Sequence, residues 1–262
     1  MLRFSSLASG SSGNATLVEV TRADGQAPTR LLVDCGLGPR RVAAALAVRG
    51  VAPSDLSAIF VTHEHSDHAG GIAALQRRYA LTVWASAGTR SAAWDDPSVE
   101  VSLAASGRPI VIGALTVHPF AVPHDAAEPL QLVVSDGVHR LGIVTDLGEP
   151  TDAVAAALEG CDALLLECNH DGDMLERGPY PAWLKRRIGG ARGHLANRQA
   201  ADLLDRVAHD GLRHVVAAHL SRHNNRPELA LAALHAASGR ARPQLHVADM
   251  HAGCPWIDLA GA

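Results

Sequence analysis

Aromatic residues are scarce in this chain of 262 residues: three Phe, two Tyr and four Trp, or 3% of the total. Hydrophobic residues nevertheless make up 47%, so a large core must be built from Ala, Val, Leu and Ile. Cysteine is sparse too. Cys35, Cys161, Cys168 and Cys254 include no Cys-x-x-Cys pair and no spacing that marks a disulfide framework, which fits a reducing compartment. No stretch approaches the roughly 20 apolar residues that cross a bilayer. After Arg3 the first apolar stretch is broken by Ser5, Ser6, Ser9 and Gly10, too soon for the apolar region of a secretion signal. These absences predict a soluble, cytoplasmic protein with no membrane partner. A net charge of −4 gives no overall positive field, so any nucleic-acid contact needs a local basic patch. No linker-like tract or short-period repeat divides the chain, and one domain over residues 1–262 is expected. Oligomeric state is not legible.

What is present is an alternation of short apolar runs and amphipathic stretches. Leu2–Ala8 and Thr16–Val20 flank the turn-forming Ser-Gly-Ser-Ser-Gly-Asn of residues 9–14. Strands are expected at 31–33, 58–61, 81–84, 110–112, 115–120, 130–135, 141–145, 163–167, 214–218 and 245–248. Helices are expected at 39–48, 69–79, 197–208 and 227–237, the last opened by Pro227. The pattern is that of an α/β protein with two similar halves.

The strongest signal is Thr62-His63-Glu64-His65-Ser66-Asp67-His68. Three imidazoles and a carboxylate fall within six positions, just after an apolar strand. Such a loop can aim His63 and His65 at one ion, and Asp67 and His68 at a second. Gly70-Gly71 permits tight packing behind it. Imidazole and carboxylate suit zinc, and also manganese or iron. Four ligands do not close two sites. Further polar residues at strand ends supply the rest: His124 after Phe120–Pro123, Asp146 after Leu141–Thr145, His219 after Val215–Ala218. Together they make five histidines and two aspartates.

The segment from Thr62 to Gly71 resembles the His-x-His-x-Asp-His signature of the metallo-β-lactamase superfamily. Asp34, His124, Asp146 and His219 fall in the order of its other motifs. The resemblance implies a four-layer αββα sandwich with the site along one edge of its two sheets. It implies one ion held by His63, His65 and His124, a second by Asp67, His68 and His219, and Asp146 between them. Asp34 would then fix the histidine loop from behind. His118 competes with His124, but lies inside a strand, whereas His-Asp-Ala after a strand matches the family pattern.

Two metals close together acidify a shared water, giving a bridging hydroxide near neutral pH. That suits phosphodiesters, thioesters or β-lactams equally. Leu164–Glu167 and Gly193–Ala201 resemble the Glu and His motifs of ribonuclease Z. This implies that Glu167 orients His194 and that His194 protonates the leaving group, so both join Asp67 as catalytic candidates. The Ser-Gly-Ser-Ser-Gly-Asn turn, Glu-Cys-Asn-His-Asp from Glu167 and His-Leu-Ser-Arg-His-Asn-Asn-Arg-Pro-Glu from His219 resemble the YycJ/WalJ branch, associated with exonuclease activity. Ala196 stands where that branch usually has serine.

Lys185, Arg186, Arg187, Arg192 and Arg198 surround His194 in sequence, and Arg222 and Arg226 flank Asn224-Asn225. Arginine binds phosphate bidentately. Asn169, Arg192, Arg222, Asn224 and Asn225 are the candidate substrate contacts, and the 9–14 turn offers N–H groups to an anion. The expected partner is a phosphodiester such as a DNA end or short oligonucleotide. The alternatives are a glyoxalase II-like thioesterase, a phosphodiesterase for small nucleotides, or a metal-bound sensor without turnover.

Overall fold

The computed structural model describes residues 1–22, 24–237, 239 and 241–260. The first strands, β1 (Leu2–Ala8), β2 (Ala15–Val20), β3 (Thr29–Val33), β4 (Ala58–Phe60), β5 (Val83–Ala85) and β6 (Val101–Leu103), lie side by side in chain order. A second sheet follows with β7 (Ile110–Ile112), β8 (Leu115–Ala121), β9 (Leu130–Ser135), β10 (Arg140–Val144), β11 (Ala163–Glu167), β12 (His214–Ala218) and β13 (Gln244–Val247). The last strand, β14 (Ile257–Asp258), returns to the first sheet antiparallel to β1. Each sheet begins as an antiparallel meander. Pairing turns parallel from β3 to β6 in one and from β10 to β13 in the other.

Helices cover the outer faces. They are α1 (Pro39–Val48), α2 (Ser66–Ala69), α3 (Ile72–Tyr79), α4 (Ala87–Ala93), α5 (Asp152–Leu158), α6 (Gly172–Arg177), α7 (Ala182–Ile188), α8 (Asn197–Val207) and α9 (Pro227–Ala237). Strand alternation decides which side chain enters which layer. In β3, Leu31 and Val33 point between the sheets, where they join Phe4, Phe60, Leu132 and Ile143. Leu32 points outward, against Leu46 of α1 and Leu75 of α3. On the far side, Leu164 and Leu166 of β11 meet Leu158 of α5 and Leu204 of α8. The result is the αββα sandwich. Its core is aliphatic, as the composition requires: Phe4 and Phe60 are the aromatics in it among the described residues.

Most expected elements fall within a residue or two of their observed bounds. The helix expected at 69–79 does not. It begins earlier, at Ser66, and breaks at Gly70-Gly71 into α2 and α3. The glycines yield to a backbone crossing: a Cβ on Gly71 would lie 2.1 Å from the Leu37 carbonyl oxygen, and one on Gly36 only 1.9 Å from that of Asp67. Three bonds pin this crossing, Cys35 N–H to His68 O, Gly71 N–H to Cys35 O and Asn14 N–H to Asp67 O, each 2.7 Å. Gly36→Ala must therefore push the Asp67 loop away. We expect a loss of about 1–3 kcal/mol, as in overpacked cores. An unchanged denaturant midpoint would refute this reading of the crossing.

Sequence reading missed α4 to α7, β6 and β14, which are short and lack clear apolar periodicity. The parallel strands of both sheets end on one edge, where α/β sheets gather their polar loops. Asp34 follows β3, His63 follows β4 closely, Asp146 follows β10, and His219 follows β12.

Candidate metal centre

The chain bends sharply where these strands end. Asp34, Asp146 and His219 all have positive φ, at 60°, 58° and 54°. Left-handed backbone in a residue other than glycine costs on the order of 1 kcal/mol and persists where the surroundings enforce it. Here the loops are enforced by hydrogen bonds. Ser9 Oγ accepts from His219 N–H at 2.7 Å, and Asn169 donates to the His219 carbonyl at 3.0 Å.

Two groups of side chains converge between the loops. His63 Nε2 lies 3.1 Å from His65 Nδ1, which is 3.4 Å from His124 Nε2. Beside them, Asp67 Oδ2 is 3.6 Å from His68 Nε2 and 3.8 Å from His219 Nε2. Either trio could hold a metal ion. Asp146 stands between the groups. Its Oδ2 is 3.0 Å from both His68 Nε2 and His219 Nδ1, and its Oδ1 is 3.9 Å from His124 Nε2. His118 takes no part in this cluster; it lies in β8, half-buried.

Three of the five rings are oriented from behind. His68 Nδ1 meets Asp34 Oδ2 at 2.8 Å, while Asp34 Oδ1 accepts from Thr62 N–H at 2.8 Å. His63 Nδ1 lies 3.0 Å from Thr62 Oγ1, and His124 Nδ1 2.9 Å from the Gly193 carbonyl. In all three rings this leaves Nε2 facing the cluster. Asn14 Nδ2 reaches His68 Nε2 at 2.9 Å and Asp67 Oδ2 at 3.2 Å.

The electrostatics are those of charges packed in the dark. Burial, with His68 adding to it, holds His63 well below the ordinary imidazole range. Burial would also lower His68 and His219, but carboxylates outweigh it and both are raised. Burial opposes ionisation of Asp146, yet His219 and His68 hold its carboxyl well below the usual range. Asp146 Oδ2 and His219 Nδ1 are nonetheless buried without an aligned hydrogen bond, despite standing 3.0 Å apart. Orphaned buried polar atoms are rare. Two that aim past each other among imidazoles and carboxylates fit a cation as their common partner.

A second pair adjoins the cluster. Glu167, wholly buried at the end of β11, accepts from Leu147 N–H at 2.8 Å and Leu195 N–H at 3.2 Å through Oε2. Its Oε1 meets His194 Nδ1 at 2.8 Å. Burial would depress His194, but Glu167 and Asp146 push it up to about 9. His194 shares a cavity of about 300 Å³ with Asp67, Asp146, His219, Ser11 and Arg187.

Of the expected substrate contacts, four are engaged within the protein. Asn169 braces His219. Arg192 donates to the His124 carbonyl at 3.0 and 3.2 Å. Asn225 is buried against Cys168 O and Asn197, and Asn224 is buried beside Ser221. Arg222 lines a different cavity, with Leu220 and Met250. The 9–14 turn also spends N–H groups internally: Gly10 on Asn14 Oδ1, Gly13 on Gly10 O, Asn14 on Asp67 O. Sequence reading missed Asn14, Thr62 and Asp125. Thr62 and Asp125 adjoin recognised ligands, a cue that was available. Asp125 Oδ1 is 3.5 Å from His124 Nε2, and its Oδ2 accepts from Arg187 Nε at 2.6 Å.

Comparison with known proteins identifies the family. Residues 29–220 match the β-lactamase superfamily domain, and the chain belongs to that superfamily. Within it, the chain is 38% identical over 233 residues to the exodeoxyribonuclease YycJ of Bacillus anthracis, spanning 87% of this chain and 86% of that protein. It is 34% identical over 234 residues to the exodeoxyribonuclease WalJ of Streptococcus pneumoniae serotype 2, spanning 87% and 85%. Among solved structures, the metallo-β-lactamase fold protein YhfI of Bacillus subtilis superposes with a TM-score of 0.73 at 17% identity, covering 98% of this chain and all of that one.

Proposed function

We propose that this chain is a two-metal phosphodiesterase that trims DNA ends, with His194 as its general acid. His63, His65 and His124 would hold one divalent ion, Asp67, His68 and His219 the other, and Asp146 would face both. Zinc suits this donor set first, and manganese or iron is compatible. Bound there, two ions supply Lewis acidity for activating water and neutralising phosphate charge. The protein's own part is positional. Asp34 and Thr62 hold the rings, Asn14 steadies Asp67, and Arg192 and Asn169 brace the His124 and His219 loops.

The observation that carries the reading is the Glu167–His194 pair. A thioester expels a thiolate that needs little protonation. A phosphodiester expels an alkoxide, which needs an acid. His194 is fixed through Nδ1 by a carboxylate that is itself pinned by two N–H groups, so a proton on Nε2 is the one available to a leaving group. Exonuclease names of relatives at 34–38% identity support DNA as substrate. A cytoplasmic setting fits four buried cysteines that are all free.

The test is a panel of end-labelled DNA and RNA oligonucleotides, bis(p-nitrophenyl) phosphate and a glutathione thioester, each with zinc or manganese. Release of terminal nucleotides from DNA is expected. Cleavage of the thioester alone, or bound metal with no turnover of any substrate, would overturn the proposal. Asp67→Ala should lose at least one ion by elemental analysis, since it removes one donor of its trio and Asp146, the other carboxylate beside His68 and His219, already faces both groups. Full occupancy in that variant would contradict the assignment.

A further inference from the structure

α7 has no buried residue, so core packing does not explain its composition. Its sequence, Ala-Trp-Leu-Lys-Arg-Arg-Ile, carries three cations and no acid in a chain whose net charge is −4. One side of the helix, Leu184, Arg187 and Ile188, lines the cavity shared with His194 and Asp67. Trp183 stands one turn before Arg187 and is 61% exposed. The other three tryptophans are accounted for. Trp84 and Trp94 pack against core clusters, and Trp256 packs against one and lies under Arg3 at 4.2 Å. Trp183 joins none of the core clusters and makes no ring contact among the described residues. An aromatic this scarce, unused by the core and set among cations on the helix that borders the site cavity, matches the chemistry of a single nucleic-acid strand.

We propose that α7 is a docking ridge for single-stranded DNA. A nucleobase of the bound strand, a short way from the scissile bond, stacks on the Trp183 indole. Arg186 neutralises a phosphate beside it, with Lys185 held nearby by its bond to the Glu176 carbonyl, and Arg187, anchored to Asp125, marks where the strand enters the metal cavity. The ridge rests on the phosphodiesterase reading but is separable from it.

The metal-loaded protein is assayed on a short single-stranded DNA. Trp183→Ala should raise KM about tenfold, the scale of one lost base stack, with kcat kept within about twofold. Trp183→Phe should recover most of that loss. An abasic nucleotide walked along the substrate should, at one position, cost the parent protein about the same factor and cost Trp183→Ala nothing further. Arg186→Gln should lower the slope of log KM against log salt by about 0.7, the share of one phosphate on a single strand. The ridge is overturned if the parent cleaves DNA and Trp183→Ala has an unchanged KM, or if abasic penalties are equal in both at every position. If the parent neither binds nor cleaves DNA, the ridge falls together with DNA as the substrate, whereas cleavage of bis(p-nitrophenyl) phosphate would keep the phosphodiesterase chemistry standing.

Discussion

His194→Ala should keep its full metal content and lose about 10²- to 10⁴-fold in kcat on oligonucleotides, the range for a positioned general acid. Geometry makes this a sharp prediction. Glu167 Oε1 already takes His194 Nδ1, and Glu167 Oε2 is occupied by the Leu147 and Leu195 amides. The imidazole therefore has one nitrogen to offer. A leaving-group comparison isolates what that nitrogen does. On bis(p-nitrophenyl) phosphate the departing phenolate needs no proton, so the same variant should lose less than about tenfold. Glu167→Gln should show the same preference for the activated substrate, because a neutral amide no longer favours the imidazolium and its single oxygen cannot accept from both His194 Nδ1 and the Leu147 and Leu195 N–H groups. His194 also lies among donors that could hold an ion, with Asp146, Glu167 and His219. Elemental analysis separates the two roles. Metal lost in proportion to rate would make His194 a ligand. Rates equal to the parent's on both substrates would remove it from the chemistry.

Much of this site was legible because its ligands sit where apolar runs stop. A strand core such as Ala58-Ile59-Phe60 is recognisable as a short continuous apolar run, and the polar residues after it fall at the sheet edge. That logic reached His63, Asp146 and His219 from three separate strands, and the structure does gather them. The choice of His124 over His118 rests on the family resemblance of His-Asp-Ala after a strand, and the structure keeps His118 inside β8. What the sequence could not disclose was how loop side chains are spent. Asn169, Arg192, Asn224 and Asn225 look like free polar contacts until the fold shows the backbone carbonyls and side chains they serve. Those partners are 28 to 68 residues away in three of the cases, too distant for any local pattern to mark. The break at Gly70-Gly71 was hidden for the same reason: its cause is the backbone of residues 35–37. Trp183 escaped notice because one exposed aromatic in a basic helix has no periodicity to betray it.

Asp146→Asn isolates the charge at the middle of the site. Asn is close to isosteric and tolerates left-handed backbone about as well as Asp, so the 58° φ need not change. What is lost is a carboxylate 3.0 Å from both His68 and His219, and 3.9 Å from His124 on the other side. Amide oxygen is a weaker donor to a divalent ion, and its NH₂ group would point a hydrogen at one of the two positions. The variant should hold at least one ion fewer per chain and lose more than about 10³-fold in turnover, several kcal/mol of charge stabilisation. Its metal-free form should fold but unfold at a lower temperature than the metal-free parent, because buried His68 and His219 lose their carboxylate partner. The ordered loops depend on Ser9, Asn169, Thr62 and Asp34, none of which contacts the carboxylate. Two ions retained with parental rates would mean that Asp146 is an ordinary buried acid paired to two histidines, and the two trios would then have to function without a shared ligand.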